Sequence, residues 1–345
     1  MREEQSSMDK TLLVTGGAGF IGSNFIRMTL QDHPDESVIN LDKLTYSGNL
    51  GNLVEIDADP RYEFVRGDIC DSEVVTPLAE RADWIVNFAA ETHVDRSLTD
   101  PGSFIQSNVN GPYVLLEAAM ASGCERFLQI STDEVYGDIP AGVFSSESDL
   151  LKPCSPYSAA KAGGELIVRS YFDSFGVPVL ITRGSNNIGP YQYPEKVVPL
   201  FVTNALDDTP LPIYGSGTAV RDYIHVDDHC LGIDRVLRRG EVGEAYNIGG
   251  GNSVNTVELA DQVLARLGKP AGLVEHVKDR PGHDQRYAVD TSKIEGLGWK
   301  PKRNFEASLS DTVDWYESHR DWWEPIKRGE YAEYYARQYG ASDGS

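Results

Sequence analysis

Asp133 and Glu134 stand side by side in STDEVYGD (131–138), at the end of the apolar run RFLQIST (126–132). Adjacent carboxylates repel and neither helps a strand to pack, so the pair points to chemistry. Two nearby carboxyls share their titration, one is pushed toward protonation, and an acid then sits beside a base. In a fully extended chain Thr132 and Glu134 would face one way and Asp133 the other. Both acids can serve one substrate only if the backbone turns there. The plainer alternative is a helix-capping Asp next to a solvated Glu; Tyr136 reads as packing. A second constellation is YSAAK (157–161), with Tyr157 and Lys161 four apart on one face of a helix that should begin after Pro156. A phenol of pKa about 10 is a poor base at neutral pH. A neighbouring ammonium and the positive ring of an oxidised nicotinamide would favour the phenolate.

A third group is the glycine run VTGGAGFIGSNF (14–25), with Gly16, Gly17, Gly19 and Gly22 directly after an apolar strand signal and opening a helical one. Glycines there permit a tight turn, close approach of backbone N–H groups to a pyrophosphate, and helix packing on the strand. Asp42 ends the next strand 20 residues after Gly22. A carboxylate at that distance accepts hydrogen bonds from a ribose diol and repels a 2′-phosphate, which favours NAD over NADP, with Lys43 beside it weakening the exclusion. Asp68 and Ile69, at the end of a third run, are placed to flank an adenine.

These groups need a scaffold. The apolar runs TLLVTGG (11–17), SVINLD (37–42), YEFVRGD (62–68), ADWIVNFAA (82–90), RFLQIST (126–132) and VPVLITRGSNN (177–187) alternate with helical segments such as SNVNGPYVLLEAAMASG (107–123). Short continuous apolar strands separated by helices predict an α/β, Rossmann-type doubly wound parallel sheet. From about residue 188 prolines and glycines thicken, which predicts a nucleotide-binding domain over 10–187 and a smaller substrate-binding C-terminal lobe over 188–340 with strands interleaved with the first. The aromatic tail 311–340 reads as a packed terminal helix.

The 345-residue chain is 40% hydrophobic and 24% charged, with a net charge of −22. That charge argues against nucleic acid and anionic membranes as partners and requires any anionic substrate to find local Arg, Lys or N–H groups. Cys70, Cys124, Cys154 and Cys230 form no C-x-x-C pair, so neither disulfides nor a metal are expected. The N-terminus is polar and no apolar run approaches 18 residues, so the expectation is a cytoplasmic protein without a signal peptide.

Together, TGGAGFIG, NFAAETHVDRS, STDEVYGD, YSAAK, NNIGPYQYPEK, RDYIHVDDH and RPGHDQRYAVD resemble the extended branch of the short-chain dehydrogenase/reductase superfamily, over residues 12 to 290. Within it the pattern is most similar to the dTDP-glucose 4,6-dehydratase family. The resemblance implies oxidation at C4 of a dTDP-hexose, loss of water across C5 and C6, and hydride return to C6. It also implies Tyr157 as the C4 base with Lys161 beside it, Glu134 as the C5 base, Asp133 as the C6 acid and Thr132 hydrogen-bonded to the sugar. Cofactor contacts would fall on Gly16, Gly19, Phe20, Ile21, Gly22, Asp42, Lys43, Thr45, Asp68, Ile69, Ala89, Ala90, Ser107, Tyr157, Lys161 and Asn187. Substrate contacts would fall on Thr92, Thr132, Asn186, Lys196, Val197, Pro212, Tyr214, Arg221, Arg280 and His283. Arg221 and Arg280 would offset the diphosphate, and Tyr214 would stack on or flank the base. His93 and His225 read as structural.

As in similar enzymes, a homodimer is expected through the helices starting near Ser107 and Tyr157, with Val114, Leu115, Ile167 and Val168 facing it. Ile188 and Thr256 depart from the family's usual Tyr and Asn, away from the chemistry. Two rivals remain on the same scaffold. A nucleotide-sugar 4-epimerase or glucuronate decarboxylase typically lacks the Asp-Glu pair. A non-catalytic NAD-binding regulator usually loses Tyr or Lys.

Overall fold

Each apolar run becomes a strand of one sheet in the computed structural model, which describes residues 10–339; the N-terminal stretch that bears on a signal peptide lies outside the described residues. In chain order the first half is β1 (Thr11–Thr15), α1 (Phe20–Asp32), β2 (Ser37–Asp42), β3 (Tyr62–Arg66), α2 (Ser72–Ala79), β4 (Trp84–Asn87), α3 (Val94–Thr99), α4 (Pro101–Ile105), α5 (Gly111–Ser122), β5 (Arg126–Thr132), α6 (Pro156–Phe175) and β6 (Val179–Gly184). The second half continues with β7 (Asn186–Ile188), α7 (Val197–Leu206), β8 (Leu211–Tyr214), β9 (Val220–His225), α8 (Val226–Arg239), β10 (Ala245–Ile248), β11 (Ser253–Asn255), α9 (Thr256–Leu267) and β12 (Val274–Val277). Four helices close the described chain: α10 (Ser292–Glu295), α11 (Phe305–Ser318), α12 (Arg320–Arg328) and α13 (Glu330–Tyr339).

The main sheet has seven strands in the order β3-β2-β1-β4-β5-β6-β10, and every neighbouring pair is parallel. Its strands alternate faces. Leu12 and Val14 of β1 pack against Phe25 and Ile26 of α1 and Ile233 and Val236 of α8. Leu13, between them, packs into the opposite layer with Val75 of α2, Leu115 of α5 and Val168 of α6. Apolar side chains on both faces are what a parallel sheet covered by helices requires. The chain order reverses at β1, whose neighbours are β2 and β4, and such a switch point leaves a crevice at the carboxyl ends of the strands.

The seventh strand escaped the sequence reading. AYNI is four residues long, between Gly243 and Gly249, too short to signal by itself. It pairs with β6 along Ile181–Gly184. Residues 226–248 thus return to the first sheet as α8 and β10, while α7, α9, α11 and the aromatic end of the chain share a separate core around Phe201, Leu259, Tyr316 and Trp323. No helix among the described residues is long and apolar enough to cross a membrane.

One expectation needs correction. Val114, Leu115 and Val168 are buried in this chain's own core and so are not free to form a dimer contact, while Ile167 packs against that core and stays partly exposed. Helical periodicity turns other residues outward: Tyr113 and Met120 on α5, Leu166 and Phe175 on α6 and Ile105 at the end of α4 are among the exposed apolar groups.

Helix α6 carries Tyr157 and Lys161, and its start is set by a capping box. The Ser155 hydroxyl accepts from Ser158 N (3.1 Å), the Ser158 hydroxyl accepts from Ser155 N (3.0 Å), and Pro156 occupies the first turn. Ser155→Ala removes one half of the box in a buried setting, and an unfolding midpoint in urea should report a loss of about 1 kcal/mol.

Candidate active site

A cavity of about 510 Å³ runs along the carboxyl edge of the sheet. The glycine turn forms its floor. Gly16 sits at φ +70°, and a Cβ on it would lie 2.6 Å from Ala89 N. A Cβ on Gly22 would lie 2.5 Å from Gly16 O, so the close packing of α1 on β1 requires glycine there. Helix α1 begins at Phe20 without a side-chain cap, so N–H groups of its first turn stay available to an anion. At the end of β2, Asp42 accepts from Ala18 N (2.9 Å) and Leu44 N (2.8 Å). Burial raises its pKa against those two bonds. Lys43 pairs with Asp68 at 2.7 Å, which offsets a cation that would have welcomed a 2′-phosphate beside Asp42. Every residue assigned to the dinucleotide, from Gly16 through Thr45, Ile69, Ala90 and Ser107 to Asn187, lines this cavity.

At Thr132 the chain leaves β5 and winds into a 3-10 turn, Asp133–Tyr136. Thr132 caps it: its hydroxyl accepts from Glu134 N (3.3 Å) and donates to the Asp133 carboxylate (3.2 Å). The turn that the acid pair required is therefore present. It separates the two acids. Thr132, Glu134, Tyr157 and Lys161 line the cavity, whereas Asp133 does not. Asp133 is 2% exposed, and its Oδ2 has no partner among the described residues. Burial, with the charges of Glu134 and Asp222 next, pushes its pKa well above the usual carboxylate range. Burial also raises Glu134, but Arg280, Arg221 and Lys196 pull it back. Both acids are thus shifted toward the neutral form, Asp133 the more strongly, because Glu134 has three cations opposing the shift.

The sequence reading lowers the Tyr157 pKa by a neighbouring ammonium together with the positive ring of an oxidised nicotinamide. In the protein alone, burial, then the Glu134 charge, push the phenol up, opposed by a hydrogen bond with Thr132. Lys161 directs its ammonium to the carbonyl of Ile130 (2.5 Å), and burial lowers its pKa to about 8 against the attraction of Glu165. The positive charge that favours phenolate must therefore come largely from whatever binds above it.

Thr92, Asn186, Lys196 and Val197 line the same cavity, with Lys196 Nζ donating to Thr92 O at 2.7 Å. Pro212, Tyr214, Arg221, Arg280 and His283 do not; the last four lie in an adjoining polar region, and Pro212 precedes Tyr214 on β8. Tyr214 donates to Asp95 (2.8 Å), Arg280 pairs with Asp95 (3.1 Å), Arg221 donates to Asp284 O (2.9 Å), and His283 meets Asp279 (2.7 Å). The two regions meet at Glu134. Helix α13 covers the far side: Gln338 donates to the Tyr214 hydroxyl (2.6 Å), and the Tyr339 ring lies 6.1 Å from that of Tyr214. His93 packs edge-on against Tyr334, and His225 caps α8 by accepting from Asp227 N (3.2 Å).

Several cavity residues were not singled out in the sequence. Glu195, buried and paired with Arg96 (3.0 Å), lies in the quoted NNIGPYQYPEK, and His229, buried to a pKa of about 3, ends RDYIHVDDH. Both sat inside motifs whose other positions drew attention. Asp95, which organises the Tyr214–Arg280 cluster, looked like an ordinary polar residue because its partners are more than 100 positions away.

The chain matches the protein family described as GDP-mannose 4,6 dehydratase over residues 13–312. It is 51% identical over 321 residues to a dTDP-glucose 4,6-dehydratase of Streptomyces niveus, covering 92% of this chain and 95% of that one. Among solved structures it resembles the dTDP-glucose 4,6-dehydratase DesIV of Streptomyces venezuelae, with NAD and TYD bound. That match has a TM-score of 0.90, 50% identity, and coverage of 92% of this chain and all of that one. A UDP-glucose 4-epimerase of Thermus thermophilus in complex with NAD shares the fold at 32% identity and TM-score 0.83, covering 90% of this chain and 99% of the other.

The buried acid pair has a consequence for stability. A carboxyl whose folded pKa is raised contributes most below its unfolded pKa, about 4, and that contribution is lost as pH rises through the folded value. Asp133→Asn should therefore stabilise the fold at pH 7–8, by on the order of 1 kcal/mol, and make no difference near pH 3.5. Denaturant titrations of both proteins at the two pH values measure this.

Proposed function

The chain belongs to the GDP-mannose 4,6 dehydratase family, and on that premise we propose that it is an NAD-dependent dTDP-glucose 4,6-dehydratase. The observation that carries this reading is the capped turn at Thr132, which sets Glu134 on the cavity wall with Tyr157 and keeps Asp133 buried directly behind. An epimerase needs no such acid pair. The glycine turn, the first N–H groups of α1, and Asp42 fit a dinucleotide, and NAD when bound supplies reversible hydride acceptance, from C4 and back to C6.

The chain's own residues handle the protons. Tyr157 takes the proton of the C4 hydroxyl, with the Lys161 ammonium held by Ile130 O close to the same face. A ketone at C4 acidifies the C5 proton, and Glu134 takes it. Its carboxylate is more basic than a solvated one because burial raises its pKa, a shift that Arg280, Arg221 and Lys196 oppose. Asp133, which burial pushes further toward the neutral form, protonates the C6 hydroxyl as it leaves. Thr132 orients the sugar. Arg221 and Arg280 offset the diphosphate, which a chain of net charge −22 must do locally.

The active assembly is a homodimer, with α5 and α6 of two copies forming a four-helix contact. Tyr113 and Met120 on α5 and Leu166 on α6 form exposed stripes suited to it. A cytoplasmic setting is consistent with four cysteines that are all unpaired.

Two experiments test these readings. In single turnovers, Glu134→Gln and Asp133→Asn should stall after oxidation, with elimination slowed about 10²–10⁴-fold and a 4-keto-glucose intermediate on the enzyme. Tyr157→Phe should block the oxidation itself. Product release at the wild-type rate from both amide variants would make the acid pair structural. Light scattering should give the mass of two chains for the wild type and one for Met120→Glu/Leu166→Glu; a monomeric wild type contradicts the dimer.

A further inference from the structure

Arg183 of β6 is 6% exposed and bound on two sides. Its Nε (2.9 Å) and Nη2 (2.7 Å) donate to one carboxylate oxygen of Glu165, itself 2% exposed on α6. Its Nη1 donates to the Tyr136 hydroxyl (2.7 Å) and to Glu147 O (3.2 Å). Tyr136 closes the turn that holds Asp133 and Glu134. Its hydroxyl passes the chain on to Asn247 of β10 (2.8 Å), whose amide donates to Ser145 O (2.9 Å) and Asp290 O (3.1 Å).

Glu165 is one helical turn beyond Lys161 and two beyond Tyr157, so Tyr157, Lys161 and Glu165 form one column on α6. In the sheet, Arg183 pairs with Ser131, the residue before Thr132. A single guanidinium therefore spans the two halves of the chemistry, the helix that serves C4 and the turn that serves C5 and C6. We propose that Arg183 is a positioning residue that sets the Asp133–Glu134 turn against the Tyr157–Lys161 column, with Tyr136 as the link to the turn. This rests on the dehydratase reading of the site.

Stability alone does not explain such a group. A buried ion pair is often replaceable by apolar side chains without loss, so its retention calls for another benefit. A planar guanidinium fork fixes direction as well as distance, which an ammonium cannot do. The reaction moves from C4 to its neighbours without the substrate changing place, so the two sets of groups must keep register. Misplacement by about 1 Å typically costs about 10²-fold. Burial pushes the Tyr136 phenol up to about 12, so it stays neutral and can accept from Arg183 while donating to Asn247.

The test separates the two half-reactions by rapid quench, with dTDP-glucose and NAD-loaded enzyme. Tyr136→Phe removes the hydroxyl's bonds to Arg183 and Asn247 and leaves Arg183 on Glu165. Arg183→Lys keeps a cation for Glu165 but cannot span to Tyr136. Both should oxidise C4 within about threefold of wild type and eliminate water about tenfold or more slowly, so 4-keto-glucose accumulates with KM unchanged. Unchanged elimination in Tyr136→Phe, or oxidation and elimination slowed equally, overturns the proposal. Should Arg183→Lys fail to fold, Tyr136→Phe decides alone. Failure of the wild type to form any 4-keto product is a different result, since it would remove the reaction reading itself.

Discussion

In a parallel sheet every strand delivers its last side chains to the same edge, and this chain puts its chemistry there. β1 ends in the glycine turn, β2 in Asp42, β5 in Thr132 and the acid pair, and β6 in Gly184 above His229. Strands that alternated direction would have scattered these ends over two sides. The sheet is covered by apolar layers on both faces, and its last strand and one covering helix come from the second half of the chain. The cavity is a consequence of the strand order, since the connections diverge on either side of β1.

The charge distribution works against the bulk composition. A chain of net charge −22 would repel a nucleoside diphosphate, yet Lys196, Arg221 and Arg280 converge on Glu134 from three separate segments. Those cations oppose the upward shift that burial imposes on Glu134. Asp133 receives less of that help and more of its neighbours' negative charge, so its carboxyl is pushed up further than that of Glu134. Burying two adjacent carboxyls in this way is unfavourable for folding.

The aromatic end of the chain illustrates how tertiary context assigns a role to a bland motif. Trp323 and Tyr316 pack into the smaller core as the apolar periodicity suggests. Helix α13, beyond the stretch matched by the family, reaches back to Tyr214 and Asp95. Nothing in the tail itself names those partners.

Local order was legible wherever neighbouring residues decide the outcome. Six strands, the start of α6 at Pro156 and the glycine turn follow from apolar runs, proline and glycine acting within a few positions. The acid pair announced a turn because two carboxylates cannot both face one way from an extended strand. What the sequence could not determine depends on groups distant along the chain. The upward shift of Tyr157, the pairing of Lys43 with Asp68, the inward facing of Val114 and Val168, and the clamp of Arg183 on Glu165 and Tyr136 each arise from burial or from a partner on another element. Sequence spacing specifies which residues share a face of a strand or helix; only packing decides what that face meets, how dry it is, and so which charges survive there.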